Sequence, residues 1–487
     1  MKLLKDILYR VRIEQVTGST NTAVERIAFD SREVVPFTAF VAIKGTRAAG
    51  HDHIEQAIAQ GANAIVCERI PPRTHENVTY VRVPATPEAL AIMADNFFGR
   101  PSTKLKLVGI TGTNGKTSVV TLLHGLFRAL GHRCGSIGTV EVRIGRETIP
   151  ATHTTPDALR LNELLARMVE ERVTHCFMEV SSHSIVQDRI TGLHFAGGVF
   201  TNITHDHLDY HGNFAAYIKA KKRFFDHLPA EAFALVNADD PNGAVMVQNT
   251  AAIKRSFALH NMADHRGRIV ENQLSGLHLN IDGHDMYSRL VGAFNASNLV
   301  AVHATAVLLG GAPLDVLTAL SEQAPPPGRF QIVQATGAVI GVVDYAHTPD
   351  ALKNVLGTLN EVMGGRDRIV SVVGCGGDRD RAKRPVMARI AAELSGQVVL
   401  TSDNPRSEDP MAIIDEMRAG LTATDLQRTW ANVDRREAVR QAVGMAGPGG
   451  VVLLAGKGHE TYQEVAGAKH PFDDAAVLRE TLELMHK

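Results

Sequence analysis

Cysteine and tryptophan are scarce in this chain, long apolar runs are missing, and the net charge is close to nil. The four cysteines (Cys67, Cys134, Cys176, Cys375) are scattered, with no C-x-x-C pair. Such spacing offers neither a zinc ribbon nor a disulfide framework, and it fits a reducing compartment. Formal net charge is −1 over 487 residues, with one Trp and no basic run interleaved with aromatics. No global field therefore recruits nucleic acid or an anionic membrane. No window holds the roughly 18 consecutive apolar residues of a spanning helix. The N-terminal "MKLLKDILYRVRIEQ" is broken by charge too often for a signal peptide. These exclusions leave a cytoplasmic, multidomain α/β protein, with no nucleic-acid or membrane partner.

Two breaks divide it. "FFGRPSTKLKLV" (97–108) is a Gly/Pro/Ser interruption before a strongly apolar run, and "EQAPPPGRFQIV" (322–333) holds three consecutive prolines. No helix or strand interior tolerates such a run. The expected domains are 1–100, 101–331 and 332–487. In the first, "AFVAI" (39–43) reads as a strand, 53–68 as a helix ending at Gly61 and then a strand, and 86–98 as a helix. In the second, "KLVGIT" (106–111) reads as a buried strand. Val119, Val120, Leu123, Leu126, Phe127 and Leu130 then fall at helical spacing, with Gly131 as the stop. "CFMEV" (176–180), "GVFTNI" (198–203) and "ALVNA" (234–238) follow as short apolar runs. In the third, "VIGVVDY" (339–345), "IVSVVG" (369–374), "VVLTS" (398–402) and "VVLLAG" (451–456) alternate with helical patterns. That alternation implies a parallel sheet with helices on both faces.

The stretch "GITGTNGKTSVV" (109–120) puts glycines, one lysine and two hydroxyl residues at a strand-to-helix junction. Glycines let a backbone fold around an anion, and a helix N-terminus points free N–H groups at it. Lys116 would reach the outer phosphates of a nucleotide, and the Thr117 hydroxyl would ligate Mg²⁺. A flexible turn is the plainer reading. The generic pattern wants a Gly where Ile110 stands. "MEVSSH" (178–183) ends a buried strand on Glu179, where α/β sheets place their ligands. "TNITHDHLDYHG" (201–212) crowds His205, Asp206, His207, Asp209 and His211 together. Zinc is one reading of it. A harder cation with oxygen ligands plus one imidazole is another, and a polar loop in a chain of 22 His is a third.

Further motifs follow the same order: "TTPDALRL" (154–161), "YIKAKKRFF" (217–225), "GAFNASN" (292–298), "PGRF" (327–330), "DYAHTPDAL" (344–352), "GCGGDRDRAKRP" (374–385), "SDNPRSEDP" (402–410) and "AGKGHETYQ" (455–463). With "GTNGKT", "EVSSH" and "THDHLDYHG" they resemble the Mur ligases over all three segments. Within that family they resemble the branch adding the third residue of the peptidoglycan stem peptide. "GTNGKT" is the compact form of the loop that this family uses.

The resemblance implies a three-domain α/β fold: a small UDP-binding domain, a central P-loop ATPase domain with a mostly parallel sheet, and a Rossmann-like C-terminal domain. It implies ATP-driven amide formation through an acyl phosphate, in a monomer. Gly112, Thr113, Asn114, Gly115, Lys116, Thr117 and Ser118 match the family's phosphate loop. Glu179 and Thr117 match its first Mg²⁺ ligands, and His207 a ligand nearer a second Mg²⁺. Lys221 matches a lysine that the family converts with CO₂ to a carbamate; taken alone, it reads as a solvated lysine among Lys219, Lys222 and Arg223. Asn295, Asn298, Arg329 and Asp344 match nucleotide contacts. Ser31 and the loop Gly45, Thr46, Arg47, Ala48 match the uridine-diphosphate end. Thr154, Thr155, Ser181, Gln187 and Arg189 match contacts to the muramoyl-dipeptide, so that UDP-MurNAc-L-Ala-D-Glu is the implied acceptor.

The added amino acid is implied by "DNPR", Asp403, Asn404, Pro405 and Arg406, with Arg379 as a second anion contact. Gly456 and Glu460 match contacts to the zwitterion. Meso-diaminopimelate is lysine with a second carboxylate, and an arginine fork suits a carboxylate. "DNPR" also reads as a turn, and a turn can aim Arg406. The alternatives are the same reaction with L-lysine, and a non-catalytic P-loop protein that binds nucleotide to regulate a partner.

Overall fold

The computed structural model describes residues 1–44, 50–206 and 208–487. "KLVGIT" forms the strand Lys106–Thr111, buried at every position after Lys106. A continuously apolar strand needs cover on both faces, and this one lies inside an eleven-stranded sheet. In spatial order the strands are Glu147–Pro150, Glu141–Ile144, Cys134–Ile137, His175–Glu179, Lys106–Thr111, Gly197–Phe200, Phe233–Asn237, Ile253–Ala258, His265–Gln273, Gly276–Ile281 and His284–Ser288. From Cys134–Ile137 to His265–Gln273 all pairings are parallel, and antiparallel strands finish both edges.

The helices Lys116–Ala129 and Ala293–Leu308 join one core with Val108, Ile110, Phe177 and Leu235. The helices Ala158–Glu170 and Phe214–Asp226 join the other, through Leu161, Leu165, Phe224 and Phe225. Two smaller mixed sheets follow, beside two two-stranded pairs, Lys2–Leu3 with Ala23–Val24 and Tyr462–Val465 with Ala468–Pro471. A five-stranded one spans residues 15–82, with strand order Gln15–Thr17, Thr79–Arg82, Ala62–Cys67, Thr38–Val41, Arg26–Ala28. A six-stranded one orders Gln331–Val333, Ile340–Asp344, Val451–Ala455, Ile369–Cys375, Gln397–Ser402 and Thr429–Asn432, parallel except at the first pair. Its helices lie on both faces in two separate apolar clusters.

The apolar run over 198–203 is strand only as far as Phe200, because the next residues turn to hold the loop between Thr111 and Lys116. The Thr201 hydroxyl donates to the Asn114 carbonyl (2.6 Å), and the Asn202 side-chain oxygen accepts from the Asn114 N–H (2.9 Å). The ribbon over 265–288 was not anticipated at all. Gly276–Ile281 alternates partly exposed and buried residues, and His265–Gln273 buries only Gly267, so neither shows a continuous apolar run.

In the six-stranded unit, Arg435 and Asp474 are both fully buried and tie two helix starts together. Arg435 donates from Nε to Oδ1 (2.8 Å) and from Nη2 to Oδ2 (2.6 Å) of Asp474. The same guanidinium also reaches the carbonyls of Ser402 (3.4 Å) and Ala455 (3.3 Å), at two strand ends. Removing one partner leaves a buried charge alone, which costs about 3–5 kcal/mol. Asp474→Ala is therefore expected to lower the stability of this unit by that amount. The single Trp430 lies in its edge strand, so urea unfolding followed by tryptophan fluorescence reads the effect. An unchanged midpoint would show that the pair contributes nothing.

Candidate active site

The loop between strand Lys106–Thr111 and helix Lys116–Ala129 is shaped by its glycines. A Cβ on Gly112 would stand 1.9 Å from Thr201 Oγ1, and one on Gly115 would stand 2.6 Å from Asn298 Oδ1. Gly115 also holds a φ of 87°, where side chains are strained. Lys116 folds back so that Nζ donates to the carbonyls of Gly112 (2.9 Å) and Thr113 (2.8 Å). Lys221 reaches the same Gly112 carbonyl from helix Phe214–Asp226, at 2.8 Å. Contrary to its reading as a solvated lysine, only 1% of Lys221 is exposed. It lies on the apolar stripe of its helix with Tyr217, Ala220, Phe224 and Phe225.

Burial sets the charge of both lysines. Lys221 titrates well below the ordinary lysine value, first through desolvation and then through the Lys116 ammonium, with Asp206 opposing. Lys116 is lowered by burial, against the pull of Glu179 and Asp206. Glu179, at the end of strand His175–Glu179, is 1% exposed. Its carboxylate accepts from the Thr139 N–H (2.8 Å) and hydroxyl (3.1 Å). Thr117 Oγ1 and this carboxylate are oxygen donors suited to a hard cation such as Mg²⁺. Together with the glycine cradle, they make the residues present fit a Mg²⁺-bound polyphosphate.

A second group gathers beside Glu179. The Thr155 hydroxyl donates to the Glu179 carbonyl (2.8 Å) and lies 3.3 Å from Ser181 Oγ, while Thr154 Oγ1 lies 3.1 Å from Thr139 Oγ1. Arg189 donates to the Thr155 carbonyl (2.6 Å) and, from Nε and Nη2, to Gln187 Oε1 (3.0 and 2.6 Å). Thr154, Thr155, Ser181, Gln187 and Arg189 thus share one wall. Ser31 sits in the five-stranded unit, donating to Gln56 Oε1 (3.0 Å). Gly45, Thr46, Arg47, Ala48 and His207 lie outside the described residues.

The six-stranded unit meets the loop through Arg329. Its Nη2 donates to Thr117 Oγ1 (3.0 Å), and its guanidinium lies 4.6 Å from the Tyr345 ring centroid. Asp344 accepts from the Phe330 N–H at 2.6 Å, and burial raises its pKa to about 6 despite Arg329. Tyr345 Oη in turn reaches Glu460 Oε1 at 3.5 Å. Glu460 Oε2 accepts from Asn404 Nδ2 (2.7 Å) and from the fully buried Lys457 (3.1 Å). Asn295 and Asn298 sit buried at the start of helix Ala293–Leu308, 3.4 Å apart between side chains. The nucleotide and amino-acid candidates therefore form one connected surface.

Arg406 stands at the far end of that surface. Its φ is 52°, and its Nη1 donates to the Gly377 carbonyl (2.7 Å) while Nε lies 3.6 Å from Glu464 Oε2. Arg379 is exposed on the loop that Gly377 belongs to. Asp403 and Gly456 follow the ends of two strands that flank Ile369–Cys375, and they come close: a Cβ on Gly456 would stand 2.5 Å from Asp403 Oδ2. Several contributors escaped the sequence reading. Asp350 accepts from Asn114 Nδ2 (2.9 Å) and Thr204 (3.3 Å), bridging the phosphate loop to helix Pro349–Met363. Thr139, Tyr345 and Lys457 were missed too. Asp350 and Tyr345 lay inside the quoted motif at 344–352 and Lys457 inside the one at 455–463; for Tyr345 and Lys457, their place just after a buried strand was the available signal.

Three families match the chain: "Mur ligase family, catalytic domain" over residues 23–98, "Mur ligase middle domain" over 110–306, and "Mur ligase, glutamate ligase domain" over 328–458. The UDP-N-acetylmuramoyl-L-alanyl-D-glutamate–2,6-diaminopimelate ligase of Cytophaga hutchinsonii is 51% identical over 485 residues, 99% of this chain and 100% of that one. The ligase of the same name from Phocaeicola vulgatus is 48% identical over 99% of each chain. A solved structure of a ligase of that name superposes with a TM-score of 0.70 at 31% identity, covering 100% of this chain and 99% of its own.

The burial of Lys221 has a thermodynamic consequence. Its folded value lies below its unfolded one, so protonation favours the unfolded chain. Stability is lost as pH falls through the unfolded lysine value, about 10.4. Lys221→Met, with no amine to protonate, is expected to be more stable than wild type at pH 7 in carbonate-free buffer. The gap should narrow at pH 9.5. Thermal midpoints of the two proteins at both pH values provide the check, and a less stable variant would mean that the amine is well paired in the fold.

Proposed function

The chain belongs to the Mur ligase family, and we propose that it joins the amino group of meso-2,6-diaminopimelate to the D-Glu γ-carboxylate of UDP-MurNAc-L-Ala-D-Glu, driven by ATP, in peptidoglycan precursor synthesis. The full-length relatives carry that activity in their names. One observation carries the reading for this chain: the unbroken contact path from Thr117 through Arg329 and Tyr345 to Glu460 and Asn404. It joins a phosphate-binding loop to a site rich in groups that recognise a zwitterion.

A carboxylate is a poor electrophile. Transfer of the γ-phosphoryl group to its oxygen, with ADP as leaving group, makes an acyl phosphate. The amine then adds to the carbonyl carbon, and phosphate departs from the tetrahedral intermediate. The protein's task is to hold two anions together in a water-poor site and offset their charge. Lys116 and Arg329 supply positive charge at the transferring group. Thr117 and Glu179 are the described residues that would hold Mg²⁺, which contributes further charge neutralisation when bound. Thr155, Ser181, Gln187 and Arg189 line the acceptor side.

Lys221 has a further role in this reading. A depressed pKa leaves the amine neutral, and the neutral amine is the form that adds CO₂. Addition of CO₂ with release of a proton would give an anionic carbamate, exchanging a neutral amine for oxygen donors next to Lys116. Lys221→Ala is expected to be nearly inactive, and formate or acetate should partly restore turnover by standing in for the carbamate. A fully active variant would remove Lys221 from the mechanism.

Phosphate release with ATP, Mg²⁺ and UDP-MurNAc-L-Ala-D-Glu, comparing meso-diaminopimelate with L-lysine, tests the substrate assignment. In this reading Arg406 pairs with the distal carboxylate that lysine lacks. Truncating a buried charge-assisted contact costs about 2–5 kcal/mol. Arg406→Ala should therefore lower kcat/KM for diaminopimelate about 30-fold or more, with no parallel fall for lysine and little change in KM for ATP. If the wild type prefers lysine, or the variant loses both amino acids equally, the assignment to diaminopimelate fails.

A further inference from the structure

A cluster of three side chains lies away from the ligase centre. His265 opens the strand His265–Gln273, Asp282 sits in the turn between Gly276–Ile281 and His284–Ser288, and His303 projects from helix Ala293–Leu308. The strand His265–Gln273 is four places across the sheet from Lys106–Thr111, a separation of about 19 Å at ~4.8 Å per strand. One potential ligand atom from each residue lies within 4.8 Å of the other two. His265 Nδ1 is 2.8 Å from Asp282 Oδ2, and His303 Nδ1 is 3.6 Å from that same oxygen.

Two features set this group apart from an ordinary surface ion pair. His303 is only 1% exposed, and among the described residues neither of its ring nitrogens has a hydrogen-bond partner. Leaving buried polar groups unsatisfied costs about 1–3 kcal/mol each, and the helix on either side of His303 is apolar at Leu299, Val300, Val302 and Ala306. The carboxylate, by contrast, is held in place. Asp282 Oδ1 accepts from the Arg266 N–H (2.7 Å), and the Asp282 N–H donates to the Arg266 carbonyl (2.9 Å). Oδ2 is thereby aimed at the two imidazoles.

We propose that His265, Asp282 and His303 form a binding site for one first-row divalent transition-metal ion of the Zn²⁺ class. Two imidazoles and a carboxylate are ligands that such ions take, and Mg²⁺ or Ca²⁺ prefers all-oxygen sets. Tetrahedral bonds of about 2.0–2.1 Å put ligand atoms about 3.4 Å apart, so the imidazoles need to move by only about an ångström. The fourth position is left to water. The ion would fasten the antiparallel ribbon to the helix whose other end carries Asn295 and Asn298.

The test uses the full-length protein, chelator-treated and free of Mg²⁺, titrated with Co²⁺ as a spectroscopic probe. Wild type is expected to bind one equivalent with the intense visible absorption of a low-coordinate site. Zn²⁺ should displace it and raise the thermal midpoint. His265→Gln and Asp282→Asn, both at partly exposed positions, should weaken Co²⁺ binding at least about 100-fold, beyond what loss of an outer-shell partner costs, and should lose the Zn²⁺ shift. Their unliganded circular dichroism should match wild type. His303→Gln provides a third arm, read only if it folds. Absence of the absorption in wild type, or its survival in His265→Gln and Asp282→Asn, would overturn the proposal, the second result placing the ion elsewhere.

Discussion

Two lysine amines, from Lys116 and Lys221, meet at the carbonyl oxygen of Gly112, and much of the central unit is arranged around that meeting. Bringing like charges together in a buried place is unfavourable unless something offsets it. Glu179 and Asp206 do so in part. The parallel sheet makes the arrangement possible, because its carboxyl edge delivers the loop, Glu179 and Thr201 to one spot from three adjacent strands. Close approach also requires glycine at 112, since Thr201 occupies the place a Cβ would take. Burial disfavours the charged form of both amines, and an arriving polyphosphate would favour it.

Arg329 extends the same logic to the neighbouring unit. The proline run before it makes an inflexible approach, and its guanidinium is caught between Thr117 and the Tyr345 ring. Asp344 is buried beside it and accepts a backbone N–H. A second link, Asp350 to Asn114, touches the loop from another helix. Two independent contacts on one short loop mean that its conformation and the seating of the six-stranded unit are not free to vary separately. The amino-acid groups around Glu460 then lie on the surface that the loop faces, which is what condensation of three substrates at one centre needs.

The phosphate loop was legible because its glycines and lysine lie within six residues. The buried strands were legible because both their faces are apolar. Lys221 was harder, since the charges around it look solvated; yet position 221 falls on the stripe with Tyr217, Phe224 and Phe225, and a lysine on an apolar stripe is itself a signal. The ribbon over 265–288 escaped because a half-exposed strand alternates instead of running apolar. Asp350 and the His265–Asp282–His303 group were out of reach of local reading: their partners lie 236 residues away in one case and on three different elements in the other. Long-range pairing is set by topology, which no window of sequence contains.

The buried charges sort by how completely they are partnered. Arg435 and Asp474 satisfy each other and two strand-end carbonyls, so they serve the fold and leave nothing to bind. Lys457 has Asn404 and Glu460, but Glu460 also faces Tyr345 and the open edge, so this pair orients a group that still has a free side. Lys221 is the extreme, a desolvated amine held by one carbonyl and an aromatic ring, and its low pKa follows from that poverty of partners. Arg406 adds backbone strain to the series, with a φ of 52° at a non-glycine position. Such conformations persist where surrounding structure enforces them, and here the backbone bonds to Glu464 and Ala466 do so. Complete pairing marks charges that build the molecule, and incomplete pairing or enforced strain marks those held ready for a substrate.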